Sequence, residues 1–92
     1  MSIQWLFDVI ESRKHNPSEQ SYTSRLMTKG LPKIAQKVGE EGTEVVVAAL
    51  AEDDQRLIEE VADLTYHTLV LLSARGLNVQ DVLSELERRH NR

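Results

Sequence analysis

Five carboxylates in two short groups carry the clearest chemical signal in this chain. Glu40, Glu41 and Glu44 make an E-E-x-x-E group, and Glu60 and Asp63 make an E-x-x-D group that begins sixteen residues after Glu44. On an α-helix, residues three and four apart share a face, so each group projects its acids to one side. Two antiparallel helices carrying these groups bring four or five negative charges together. Crowded, partly desolvated carboxylates are costly unless they keep their protons or a cation neutralises them. Oxygen-only ligands suit a hard divalent ion, Mg2+ or Mn2+ before zinc. Such an ion on a helical scaffold points to phosphate chemistry.

Acids on a helix are ordinarily a solvated face, and three details weigh against that here. The acids border an apolar stripe instead of opposing it. Glu60 and Asp63 open the most apolar helix of the chain. One helical hairpin separates the groups, which sets them at similar depth. A di-iron carboxylate bundle, the competing metal site, needs Glu-x-x-His pairs. His67 follows Asp63 by four residues and no Glu precedes it by three. It reads as a core histidine, or one standing behind the ligands, and not as a ligand itself.

The elements that must hold these acids are helical. Ile3, Leu6, Phe7 and Ile10 recur at three- and four-residue spacing, which predicts a first helix from Ile3 to about His15. Asn16-Pro17-Ser18 breaks it. Ser18 to Gly30 reads as a thirteen-residue, hydroxyl-rich connector with room for a short helix around Thr23–Thr28; connectors of that length are often functional. Pro32 suits the first turn of a second long helix running to about Ala51. Its expected apolar stripe is Leu31, Ile34, Val38, Val45 and Ala49, with Lys37, Glu41 and Glu44 along the edge and Glu40 just beyond. Glu52-Asp53-Asp54 breaks the chain, and Asp53 or Asp54 can cap the next helix, about Asp54 to Arg75. Gly76 then ends it, and Asn78 starts a last helix to about Arg89.

That third long helix is apolar on nearly every side from Leu64 to Leu72. One small chain offers few elements to cover it, so a homodimer or higher homo-oligomer with this helix at the interface is expected. Trp5 and Phe7 read as core or interface. The fold class expected is all-α: a bundle of about four main helices, completed by dimerisation.

Bulk properties narrow the setting. The chain has 92 residues, enough for one domain over 1–92. A chain of this size buries only about 60–65% of its unfolded surface, which again favours self-association. Eleven Lys and Arg against fifteen Asp and Glu give a net charge of −4. That balance disfavours a nucleic-acid partner. Cysteine is absent, so disulfides, a thiolate nucleophile and a zinc–thiolate site are excluded. Met1–Lys14 is too mixed for a secretory leader, and no apolar run reaches the roughly 20 residues of a membrane span. A cytoplasmic protein without a membrane partner is expected.

At this point a resemblance enters. The acidic pattern resembles that of the all-α nucleoside triphosphate pyrophosphohydrolases, the MazG-like superfamily. A narrower likeness, to the phosphoribosyl-ATP pyrophosphohydrolase family of histidine biosynthesis, lies in several runs. These are Ser21-Tyr22-Thr23-Ser24-Arg25-Leu26, Lys29-Gly30, Lys33-Ile34 and Lys37-Val38-Gly39-Glu40-Glu41. Glu60 to His67 and Arg75-Gly76-Leu77 continue it, so the resemblance spans essentially the whole chain. One departure is Gly42, where the family usually carries alanine; glycine there costs roughly 1 kcal/mol of helix propensity.

The resemblance implies hydrolysis of 1-(5-phospho-β-D-ribosyl)-ATP to the AMP compound and pyrophosphate, the second step of L-histidine biosynthesis. It implies Mg2+, or Mn2+ in its place, on Glu41, Glu44, Glu60 and Asp63, with Glu40 as a further ligand or a residue that orients water. The triphosphate adds negative charge to an acidic pocket, so the ion must mediate. Any of these acids could serve as the base. Lys37 either meets phosphate or pairs with Glu41 at i,i+4. Thr23, Arg25, Lys29 and Lys33 are candidates to hold the phosphoribosyl end. Two rivals use the same acids: a house-cleaning (d)NTP pyrophosphohydrolase, and a non-catalytic helical dimer with a structural ion.

Overall fold

The computed structural model describes residues 1–90. Its elements are α1 (Ile3–His15), α2 (Tyr22–Lys29), α3 (Leu31–Ala51), α4 (Asp54–Ala74) and α5 (Val79–His90), with no strand among the described residues. The all-α expectation is met by four longer helices and a short one, α2, of eight residues. No helix among the described residues is long and apolar enough to cross a membrane.

Local chemistry explains the boundaries. Ser2 Oγ accepts the Trp5 amide at 3.0 Å, and Asp53 Oδ1 accepts that of Arg56 at 2.9 Å, so each supplies an oxygen to an otherwise unpaired helix amide. Glu52 and Asp53 alone join α3 to α4. Arg75, Gly76 and Leu77 close α4, with the Gly76 amide on the Ser73 carbonyl and the Leu77 amide on that of Leu72. Gly76 takes φ of +73°, the left-handed value this ending requires. Asn78 and Asp81 then start α5: Asn78 Oδ1 accepts the Gln80 amide and Asp81 Oδ2 accepts that of Asn78.

The connector holds the short helix expected around Thr23–Thr28, one residue longer at each end. Most of it is α2, whose first turn is capped by Ser21 Oγ on the Ser24 amide at 3.2 Å. Burial of Thr23, Ser24 and Leu26 holds the helix down. Gly30, at φ +96°, separates α2 from α3 in a single residue.

Phe7, Ile10, Leu26, Ile34, Leu69, Val70 and Val79 form the core, one or two from every helix. They join the first half of α3 and the second half of α4 to α1, α2 and α5. Much of the apolar half of α4 is thus covered by its own chain. His67, Leu69, Val70 and Ser73 are buried within one chain, and Leu64, Tyr66, Leu71 and Leu72 are partly so. Large exposed apolar residues occur toward the other end of the α3–α4 hairpin, at Val46, Val47, Leu50, Ile58 and Val61, and also at Leu77, Val82 and Leu86. Phe7 is core as expected, whereas Trp5 is 54% exposed. The stripe of α3 is also narrower than expected: Ile34, Glu41 and Ala48 are buried, while Leu31 and Ala49 are exposed.

Gly42 sits inside α3, and a methyl group there meets nothing within 4 Å. Gly42→Ala is expected to stabilise the fold by about 1 kcal/mol, raising Tm by roughly 4–8 °C in a thermal melt. A lower Tm would show that another surface presses on this position.

Candidate metal and substrate site

The α3–α4 hairpin sets the acids at matching depth. Glu44 lies seven residues before the end of α3, and Glu60 lies six after the start of α4. Their carboxyls are within hydrogen-bonding reach of each other. Glu60 is 5% exposed and Glu41 8%, whereas Glu40, Glu44 and Asp63 face solvent. Glu41 thus lies within the buried face of α3, and not at its edge as the helical spacing predicts.

Each buried acid has a neighbour that limits the cost of its charge. Hydrogen bonding to Glu44 is the main cause that pushes the Glu60 carboxyl above the usual glutamate range. Burial and the negative charges of Glu44 and Asp63 push the same way, and together they outweigh the pull of Arg56. Arg56 reaches Glu60 Oε1 at 2.5 Å and Glu59 Oε1 at 2.6 Å, with Glu52 Oε2 at 3.6 Å. On the other side of the hairpin, His67 Nδ1 stands 2.6 Å from Glu41 Oε1.

Two oxygens still lack an aligned donor. Glu41 Oε1 and Glu60 Oε2 are buried without one, although His67 stands beside the first and the Glu44 carboxyl beside Glu60. Buried polar atoms in that condition are rare and mark a missing partner. Among the described residues no three His, Asp or Glu groups converge closely enough to enclose an ion; the acids meet in pairs. The donor set nonetheless fits a hard divalent cation: carboxylate oxygens from two facing helices, two of them orphaned.

The candidate substrate residues divide into three places. Thr23 is buried, its hydroxyl bonded to the Tyr66 hydroxyl, and it lines a cleft of about 340 Å³ with Arg13, Ser21, Tyr22 and Tyr66. Arg25 and Lys29, one turn apart on the other side of α2, line a separate hollow of about 430 Å³ with Pro17, Ser24 and Thr28. Arg25 donates to the Glu19 carbonyl at 2.6 Å. Lys33 and Lys37 lie one turn apart on α3, both half-buried, with Lys37 one turn before Glu41. Thr23 therefore does not share a hollow with Arg25 and Lys29, although all three belong to α2.

Sequence reasoning missed Arg56 and Tyr22. Arg56 was legible as the i−4 partner of Glu60. Tyr22, whose hydroxyl meets His67 Nε2 at 2.7 Å across 45 residues of sequence, has no local signal.

The raised Glu60 carboxyl has a consequence for stability. A group that holds its proton more tightly when folded favours the folded state below its unfolded pKa. That contribution is lost as pH rises through the folded value. In metal-free buffer, Glu60→Gln is therefore expected to gain stability over the parent chain as pH rises from the ordinary glutamate range through the raised one. Urea titrations at successive pH values read this directly, and a pH-independent difference would contradict it.

Comparison with known proteins bears on the same residues. A family model described as Phosphoribosyl-ATP pyrophosphohydrolase matches residues 4–90. A phosphoribosyl-ATP pyrophosphatase of Clostridium botulinum is 50% identical over 90 residues, covering 98% of this chain and 82% of its own length. That of Lacticaseibacillus casei is 54% identical over 91 residues, covering 99% and 83%. The archaeal protein of the same name from Pyrobaculum calidifontis is 54% identical over 87 residues, covering 95% and 93%. Likeness of this degree takes in both acidic helices and α2 together, and the chain belongs to the phosphoribosyl-ATP pyrophosphohydrolase family.

Proposed function

We propose that this chain hydrolyses 1-(5-phospho-β-D-ribosyl)-ATP to 1-(5-phospho-β-D-ribosyl)-AMP and pyrophosphate, the second step of L-histidine biosynthesis, with Mg2+ or Mn2+ between α3 and α4. The observation that carries this reading is the pair of buried glutamates on facing helices, each with one unpartnered oxygen, in a member of this family. Glu41, Glu44, Glu60 and Asp63 would hold the ion. When bound, it offsets the charge of the triphosphate and of the departing pyrophosphate.

The remaining work falls to the chain's own groups. Glu40, exposed one turn before Glu44, would orient the attacking water. Lys33 and Lys37 supply positive charge along α3 for phosphates outside the acidic cluster. Arg25 and Lys29 on α2 offer a second basic pair for the phosphoribosyl end. Arg56 holds Glu60 in place while shared between three glutamates. The reading places the enzyme in the cytoplasm, with no nucleic-acid or membrane partner.

Glu44→Ala and Asp63→Ala are each expected to lower pyrophosphate release from phosphoribosyl-ATP at least about a hundredfold with unchanged helical circular dichroism. Activity within a few-fold of the parent would remove those acids from the mechanism. The parent chain is expected to prefer phosphoribosyl-ATP over a panel of dNTPs in kcat/KM. The opposite order would make it a house-cleaning enzyme.

A homodimer belongs to the same reading. Val46, Val47, Leu50, Ile58 and Val61 lie on the turn-side part of the hairpin, beside the acids and away from the core cluster. Leu50 alone is 83% exposed. Apolar side chains grouped this way mark an association surface. Light scattering after size exclusion is expected to give twice the chain mass, and Leu50→Glu to shift it toward monomer. A monomeric parent chain at micromolar concentration would refute the dimer.

A further inference from the structure

We propose that His67 is a positioning residue: held by Tyr22 of α2, it sets the direction of the Glu41 carboxylate and, through it, the affinity of the α3–α4 site for a divalent cation. The proposal rests on the metal-dependent reading above. It adds to that reading a link from α2 to the ion.

The geometry around the imidazole is closely defined. His67 is 6% exposed. Its Nδ1 hydrogen goes to the Asp63 carbonyl, 3.0 Å away and one turn back along α4. A carbonyl only accepts, so Nδ1 carries a hydrogen, and Nε2 meets the Tyr22 hydroxyl at 2.7 Å. Tyr22 and Tyr66 both meet the ring edge-on, with centroids 5.7 and 5.5 Å away and planes at 83° and 90°. Two polar anchors and two aromatic contacts fix the ring in position and plane.

The consequence falls on Glu41. Nδ1 stands 2.6 Å from Glu41 Oε1, yet its hydrogen is directed at the Asp63 carbonyl, so Oε1 has no aligned donor. The close approach sets the imidazole against this oxygen and fixes where the carboxylate points. Glu41 is thus oriented but still free to ligate. Groups that orient metal-binding side chains in this way typically change affinity or activity 10–100-fold when removed. Because Tyr22 anchors the ring from α2, anything that moves α2 also acts on Glu41, and binding at the two places is reciprocally coupled.

Mn2+ titration of the metal-free protein, followed by the resonance of the free ion, tests this without turnover. His67→Gln keeps a partner for Tyr22 but loses the group beside Glu41, and is expected to weaken Mn2+ binding at least about tenfold. His67→Asn keeps a donor near the Nδ1 position and is expected to stay nearer the parent value. Tyr22→Phe removes one hydroxyl from a partly exposed side chain, so its fold should survive. It is expected to weaken Mn2+ binding several-fold and to raise the metal concentration for half-maximal turnover, with kcat recovered at saturating metal. Parent-like Mn2+ affinity in folded Tyr22→Phe and His67→Gln would overturn the proposal, as would a parent chain that binds no Mn2+. A parent chain that binds Mn2+ but leaves phosphoribosyl-ATP intact would sink the enzymatic reading alone, and the variants' Mn2+ affinities would still decide the role of His67.

Discussion

Glu41 and Glu60 lose most of their water inside a two-helix hairpin, and much of the surrounding structure follows from how that charge is met. A buried carboxylate must hold its proton, pair with a cation or gain hydrogen-bond donors. The hairpin uses the first two. Glu60 keeps its proton longer because it bonds to Glu44, and it also draws in Arg56. Glu41 is met by the edge of His67. Even so, one oxygen of each acid stays unpartnered. Removing negative charge from the site would relieve the strain on the fold, yet the acids sit in a family whose substrate is a triphosphate. Tension between folding and ligation is common where a site is built for an ion.

The scaffold keeps that tension away from its own stability. Residues of the core cluster gather where α1, α2 and α5 cover the first half of α3 and the second half of α4. Glu44 and Glu60 lie toward the turn, where apolar side chains remain exposed. A destabilising group there costs local order before it costs the core.

The sequence revealed the helices well because the relevant signals are local. Asp53 at the head of α4, Pro32 in the first turn of α3 and Gly76 after α4 each act within a few residues, and each stands where the spacing puts it. The pairing of Glu44 with Glu60 was also legible, since a two-residue turn leaves antiparallel helices little freedom in register. What failed depended on contacts distant in sequence. The cover over the apolar half of α4 comes from α1 and α2, so apolarity all round a helix signalled burial correctly but said nothing about which chain supplies it. Glu41 looked like an edge residue because hydropathy cannot show that a carboxylate will be accepted into the buried face.

The hydroxyl-rich run at the start of α2 carries a further lesson about reading motifs. Each hydroxyl from Ser21 to Ser24 is engaged within the fold. Ser21 caps α2, Tyr22 meets His67, Thr23 meets Tyr66, and Ser24 donates to the Arg13 carbonyl while accepting the Ser18 amide. Two of these tie α2 to adjacent residues of α4, only three and four residues beyond Asp63. This hydroxyl-rich run is therefore the latch that docks α2 on the acidic helix. Its hydroxyls have little hydrogen-bonding capacity left over. The motif would then persist because it locates α2, and because α2 in turn locates the imidazole beside Glu41.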